Sequence, residues 1–287
     1  MECTKLLKRI DFLLIVTADK ANPNGDPLDG NRPRQYYDGT GYLSAVSVKR
    51  KIRNRLQDMG CRILLEQNDR SDDGFTNISE RLDSVKGMKD ARKSKNTGLV
   101  KELALENFVD VRAFGATLAL KDKTSVGIRG AITIQDAESV GPVEVESYQI
   151  TKSLNSEPGD IKGSDTMGMR HVVKYGVYVI RGSINPITAK KNILTEEDIT
   201  NIRNALSTLF ENDDTASRPA GSMNVKKMYW WEQSSDDAYA VNYPVNEVYD
   251  TIKVETTSDS GVTESWNDVK ITETDLPGLK PDMIVDK

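Results

Sequence analysis

The chain has 287 residues, 29% of them charged and only 6% aromatic, with a formal net charge of −5. That length allows a sizeable core in one elaborated domain or two. No apolar run approaches the roughly 20 residues of a membrane span, and the N-terminus reads as a strand, not a secretory signal. Cys3 and Cys61 lack paired spacing, which fits reduced thiols in the cytoplasm.

In chain order, the first predicted element is a strand over Ile10–Ala18. A turn-rich loop follows, Asn22-Pro23-Asn24-Gly25-Asp26-Pro27 and then Gly30-Asn31-Arg32-Pro33-Arg34. Pro, Asn, Gly and Asp each suit tight turns, and such loops can offer backbone N–H groups to an anion. A helix is predicted over Ser44–Met59, with Ser44 as N-cap and Ala45, Val48, Ile52 and Leu56 as its apolar stripe. Arg50, Arg53 and Gln57 flank the stripe on one side and Lys51 and Arg55 on the other. Ser44–Gln57 carries five cations and no anion. Two readings stand: a solvated helix with snorkelling side chains, or a surface that holds a polyanion.

Residues 66–100 read as a polar insertion with local helices. Phe108–Leu120 and Gly127–Gln135 read as strands, and residues 136–171 as a projecting hairpin or arm. Val172–Ile184 is a further strand. Thr195-Glu196-Glu197-Asp198 resembles a capping box, opening a helix with the stripe Ile199, Ile202, Leu206, Leu209 and Phe210. Asn224–Glu232 is the last strand of the body; its consecutive Tyr229, Trp230 and Trp231 must point to both faces, one to the core and one free to meet another subunit. Of the 44 acids, 13 lie in residues 232–287 against 4 of the 39 bases, which leaves 31 acids and 35 bases for residues 1–231. The acidic extension either packs on the body or a neighbouring subunit, or serves solubility. The order strand, helix, two strands, helix, strand is that of an α+β, ferredoxin-like βαββαβ fold, which also underlies RNA-recognition modules.

Catalytic chemistry finds little support. His171 is the single histidine, no zinc-ligand spacing occurs, and there is no phosphate-binding G-x-x-x-x-G-K-[ST] loop. Asp26, Asp29 and Asp38 could hold Mg²⁺, although Asp in such a loop more often supports a turn. Neither a cofactor nor a metal is expected. Arg112 and Arg129, beside Gly115 and Gly130, offer forks suited to phosphate as well as to structural ion pairs. Phe114 could stack on a base, as in single-strand binders, or serve the core.

The loop, Lys49-Arg50-Lys51-Ile52-Arg53-Asn54, Asp110-Val111-Arg112-Ala113-Phe114-Gly115-Ala116, Arg129-Gly130, Ile150-Thr151, Thr166-Met167-Gly168, His171 and Tyr175-Gly176 form an ordered set over about the first 230 residues. In this the chain resembles the backbone subunit of type I Cascade CRISPR surveillance complexes, most closely the type I-C form. It departs from that pattern at Ser44-Ala45-Val46, where an acidic residue is expected, and at Lys152, where arginine is. The resemblance implies an RRM-like palm over residues 1–231, with a fingers-like insertion at 60–107 and a thumb-like arm at 136–171. It implies a non-enzymatic scaffold whose copies stack head to tail along CRISPR RNA, displacing one nucleotide at regular intervals and leaving bases to pair with target DNA. Other Cascade subunits would be partners, and no membrane would. The candidate RNA-binding set is Asn22, Asn24, Arg32, Arg34, Lys49, Arg50, Arg53, Arg112, Phe114, Arg129, Lys152, Met167, Arg170 and His171. The alternatives are a metal-dependent RNA-cleaving backbone subunit of the type III kind and an assembly protein that binds no nucleic acid.

Overall fold

A computed structural model describes residues 8–119, 125–151, 167–233 and 241–286. The strands are β1 (Arg9–Ala21), β2 (Gly25–Asp26), β3 (Arg32–Pro33), β4 (Thr40–Leu43), β5 (Gly115–Ala119), β6 (Ser125–Arg129), β7 (Ile132–Ile134), β8 (Ala137–Pro142), β9 (Val145–Thr151), β10 (Met167–Ile184), β11 (Met223–Gln233), β12 (Ile252–Thr256), β13 (Val269–Glu273) and β14 (Asp282–Asp286). The helices are α1 (Ala45–Asp58), α2 (Ile78–Asp83), α3 (Met88–Lys93), α4 (Thr97–Asn107), α5 (Val109–Phe114), α6 (Pro186–Lys191), α7 (Glu196–Ser207) and α8 (Val245–Asp250).

The main sheet runs β14-β11-β1-β10-β8-β4, with β7 and β9 also paired to β10. Every pairing in it is antiparallel. β1 is central, and its unbroken apolar run follows from burial on both faces. Phe12, Leu14 and Val16 join the α1 and α7 stripes in one core. Leu13 and Ile15 face the opposite way, into a core closed by α8, β12 and β13. The acidic extension therefore covers the sheet face that α1 and α7 leave open. This corrects the expectation of an exposed aromatic in β11: Tyr229, Trp230 and Trp231 are all buried. Trp230 stacks on Phe12 at 5.8 Å under the helices, and Tyr229 on Trp231 at 5.9 Å under the extension.

Local signals account for both main helices. Ser44 caps α1, its Oγ accepting from Ser47 N at 3.2 Å. Val48, Ile52 and Leu56 are buried. Thr195 and Asp198 form a reciprocal capping box at the start of α7, at 3.1 and 3.0 Å.

Three expectations need correction. The segment from Phe108 begins as α5 and becomes strand only at Gly115. Gly115 takes φ +73°, and a Cβ there would sit 2.2 Å from the Ile128 carbonyl oxygen. A Cβ on Gly130 would sit 2.3 Å from Phe114 C, so the two glycines let α5 and the end of β6 pass in contact. The predicted strand over Gly127–Gln135 is two strands, broken at Gly130-Ala131. Finally, the stretch from 136 is not wholly a projection, since β8 lies inside the main sheet between β10 and β4. Among the described residues of this stretch, β9 and the first residues of β10 extend beyond it. Met167–Val172 pair with β9 alone, and β1 joins β10 at the Ala21–Val173 pair. Thr166 and Lys152 lie outside the described residues.

The predicted insertion contains α2, α3 and α4. It buries Leu64, Leu82, Met88, Val100, Ala104 and Phe108 in a small core of its own, shared with α5, β5 and β6.

Candidate nucleic-acid interface

The loop after β1 is a tight turn held by Asp26. Its carbonyl oxygen accepts from Asp29 N at 3.1 Å and Asn31 N at 2.8 Å, and its Oδ1 accepts from Leu28 N at 3.0 Å. Gly30 and Asn31 take φ of +54° and +62°, conformations that Gly and Asn tolerate best. The loop N–H groups are thus largely used inside the turn, and the expected anion-binding concavity is not built from them. Asn22 is buried and donates to the Asn31 carbonyl at 2.6 Å. Asn24 Oδ1 accepts from Ser44 N at 2.8 Å and ties the loop to the start of α1. Arg34 donates to Asp26 at 3.2 Å and to Tyr42 Oη at 3.4 Å. These two contacts favour its charged form. Asn22, Asn24 and Arg34 are therefore internal supports of the loop, and Arg32 is the cation it presents outward.

The basic helix proves to be mostly neutralised. On one flank Arg53 donates to Asp110 at 3.0 Å, Arg50 to the Leu65 carbonyl, and Gln57 to the Arg70 carbonyl at 2.8 Å. That flank is bolted to the insertion. On the other, Lys51 pairs with Asp213, and Arg55 with Glu211 at 2.7 Å and Thr208 Oγ1 at 2.8 Å. Burial pushes the Lys51 ammonium down to about 8, with Asp213 opposing. The expectation that a flank of α1 faces a phosphate backbone is corrected for Arg53, whose guanidinium is buried by Asp110 and lies 4.9 Å from the Phe114 ring centroid. Lys49 differs. It is half-buried and, among the described residues, without a carboxylate partner, and burial and the Arg53 charge both push its ammonium down.

Arg112 is bound bidentately to Asp198 at 2.8 and 2.7 Å and to the Leu105 carbonyl at 2.7 Å, a structural fork joining α5 to α7. Phe114 packs half-buried against the main core, which is the core role. Arg129 is exposed at the end of β6, next to Gly130, its carbonyl accepting from Asn192 at 2.7 Å.

The ribbon of β9 and β10 brings loop and strand together. His171 and Ser147 are a cross-strand pair, so they share a face. His171 Nδ1 and Ser147 Oγ are 2.8 Å apart, and Arg32 Nη1 donates to the same Oγ at 3.2 Å. Gly30 lies beside the other imidazole nitrogen, close enough that a Cβ there would be 4.0 Å from Nε2. Met169 shares that face and is exposed. Arg170, one residue on, points to the opposite face with Tyr148 and reaches the Lys20 carbonyl at 3.5 Å. The backbone of Met167 pairs with Thr151. Sequence reasoning passed over Ser147, which carries no motif signal; only the register of β9 against β10 shows it.

The three loop acids are engaged in the turns. Asp26 pairs with Arg34, Asp29 lies 3.9 Å from Arg32, and Asp38 accepts from Thr40 N at 2.9 Å. Among the described residues no group of three or more His, Cys, Asp or Glu converges as a metal site, and no helix is long and apolar enough to cross a membrane.

The profile of the family described as CRISPR-associated protein Cas7 matches residues 8–274. The chain belongs to the CRISPR-associated Cas7 family. A CRISPR-associated protein Cas7 from Haloferax volcanii is 27% identical over 233 residues, covering 75% of this chain and 68% of that protein. Among solved structures, a chain of a CRISPR RNA-guided surveillance complex, pre-nicking, aligns with a TM-score of 0.47 at 16% identity, covering 78% of each chain. A chain of a second CRISPR RNA-guided surveillance complex aligns with a TM-score of 0.40 at 16% identity, covering 84% of this chain and 79% of the other. Within this Cas7 family member, Arg32 of the loop and His171 of β10 are joined through Ser147 of β9.

Proposed function

We propose that this protein is a non-catalytic RNA-binding backbone subunit of a CRISPR ribonucleoprotein, of the type I-C-like kind, acting in the cytoplasm. In this reading it holds CRISPR RNA by its phosphates, repeats head to tail along the spacer, associates with other subunits of a Cascade complex, and leaves the bases free to pair with target DNA, as guided systems do. A head-to-tail contact that does not close generates a helical filament. The observation that carries the reading is the meeting of Arg32 and His171, residues of two motifs about 140 positions apart in a Cas7 family chain, on one face of a ribbon that extends past the sheet.

The core fits a ferredoxin-like palm. Taking β1, β7 with β8, β10 and β11 as its four strands gives the antiparallel order fourth, first, third, second, with α1 and α7 on one face. The insertion at 60–107 would be the fingers and the β9–β10 ribbon the base of the thumb. The sheet face on which RNA-recognition modules stack bases is here occupied by the C-terminal extension. RNA would therefore run along the loop, ribbon and Lys49 side. The phosphate-facing set is Arg32, Lys49, Arg129, Arg170 and His171, with Arg50 next to Lys49; Lys152 and Met167 remain candidates from sequence.

The test is copurified nucleic acid and salt-dependent binding of a single-stranded RNA. Neutralising Z phosphates on a single strand gives a log–log salt slope of about −0.7Z. A slope of −2 or steeper is expected for this set, together with periodic protection of a long RNA. A slope near zero would overturn the reading. Cleavage of the RNA in Mg²⁺ that depends on Asp26 or Asp29 would replace it with a nuclease.

A further inference from the structure

We infer that Ser147 is a positioning residue: with Arg32 it holds His171 as the Nε2–H tautomer and so presents a fixed hydrogen-bond donor to a phosphate oxygen of bound RNA. The inference rests on the RNA-binding reading above for its ligand, but not for its geometry.

A guanidinium only donates, so at the 3.2 Å contact Arg32 Nη1 is the donor and Ser147 Oγ the acceptor. The serine hydroxyl has one proton to place, and among the described residues the acceptor within reach is His171 Nδ1 at 2.8 Å. A neutral imidazole that accepts at Nδ1 carries its proton on Nε2. The opposite tautomer would make Ser147 Oγ accept from both neighbours and turn its own proton out to solvent, breaking the one-way chain from Arg32 to the imidazole. The three groups thus form a chain with one direction, Arg32 to Ser147 to His171, polarised from its charged end.

Among the described residues nothing accepts from the far end of that chain, Nε2. Gly30 passes beside Nε2 with φ +54°, and lacking a Cβ it leaves bare backbone there. Arg32 is paired only loosely, at 3.9 Å, with the exposed Asp29, so the site keeps a positive bias. A donor beside a guanidinium fits an anionic oxygen. Ser147 and His171 sit on a two-stranded ribbon, where register fixes which side chains share a face. An isolated surface histidine would exchange freely between tautomers; this one is restrained from two elements, the loop and β9.

Because His171 is the sole histidine, its ring nitrogens give an uncrowded nitrogen-15 NMR signature. The Nε2–H tautomer is expected to dominate in the free protein at neutral pH. Ser147→Ala should mix the tautomers and weaken binding of a single-stranded RNA oligonucleotide roughly tenfold, the loss of about one hydrogen bond to a charged group. Ser147→Thr, which keeps the hydroxyl and suits a strand, should restore both. In a His171→Ala background, Ser147→Ala should cost nothing more, because it acts through the imidazole. A dominant Nδ1–H tautomer in the free wild type would overturn the proposal. So would disordered tautomers with unchanged RNA affinity in Ser147→Ala, or an equal loss with and without His171. If the wild type bound no RNA, the assignment of the ligand would fall with the functional reading. The tautomer measurement, made on free protein, would still separate that failure from a failure of the geometry.

Discussion

Arg53 and Asp110 lie 57 residues apart and meet as a buried ion pair, Nε to Oδ2 at 3.0 Å, with the carboxylate wholly removed from solvent. Asp110 is saturated: Oδ1 accepts from Leu64 N at 2.8 Å and Oδ2 also from Leu65 N at 3.2 Å. One side chain thereby joins α1, the entry to the insertion and α5. Asp110→Ala should destabilise the fold by about 3–5 kcal/mol, because it leaves a buried guanidinium and two backbone donors without their acceptor. Urea unfolding measures it, and a loss below about 1 kcal/mol would show that the junction tolerates water.

The same pair shows how far the sequence could be read. The strands at Ile10–Ala18, Val172–Ile184 and Asn224–Glu232, both helix starts and both apolar stripes were legible, because periodicity and caps are local signals. The role of Lys51, Arg53 and Arg55 on α1 was not, because their partners Asp213, Asp110 and Glu211 are remote in sequence. Arg112 was ambiguous for the same reason, with its carboxylate on α7. The strand expected at Phe108 failed because Val109–Phe114 is apolar enough for either element, and the choice is made by packing against the insertion core and by Gly115 at its end. The burial of Trp231 could not be foreseen without knowing that residues 241–286 fold back on the sheet.

Lys49 separates function from structure on α1. Among the described residues it has no carboxylate partner, so Lys49→Ala should leave stability within about 0.5 kcal/mol of wild type. It should weaken RNA binding across unrelated sequences and make the salt slope shallower by about 0.7, the share of one phosphate. An unchanged slope would move the phosphate path away from the start of α1.

Alkaline stability should be limited by buried phenols. Burial raises the pKa of Tyr178, Tyr229 and Tyr249, and pushes Tyr175 up to about 12. A folded-state pKa above the unfolded value near 10 gives stability that is complete below pH 10. It is lost as pH rises further, since only the unfolded chain sheds those protons. The urea midpoint should fall steeply above pH 10, and Tyr178→Phe should flatten that fall. An identical slope in Tyr178→Phe would assign the alkaline limit to other groups.

The ribbon is the last element to test. β9 and the start of β10 extend beyond the sheet and expose Tyr148 and Ile150 on one face and Met169 on the other. Apolar side chains on both faces of a two-stranded extension have no core of their own to join. An isolated hairpin is at best marginally stable in water. Burial against RNA and a neighbouring copy would supply what the isolated ribbon lacks. Replacing residues 152–165 by a short Gly-Ser linker should leave the sheet intact, because β8 and β10 are held by β4 and β1. Circular dichroism and the thermal midpoint should barely change. Changing Tyr148, Ile150 and Met169 together to Ser should likewise spare the monomer while abolishing ordered filaments on RNA, seen by electron microscopy. Filaments of unchanged repeat in the triple variant would show that the ribbon makes no contact that assembly requires.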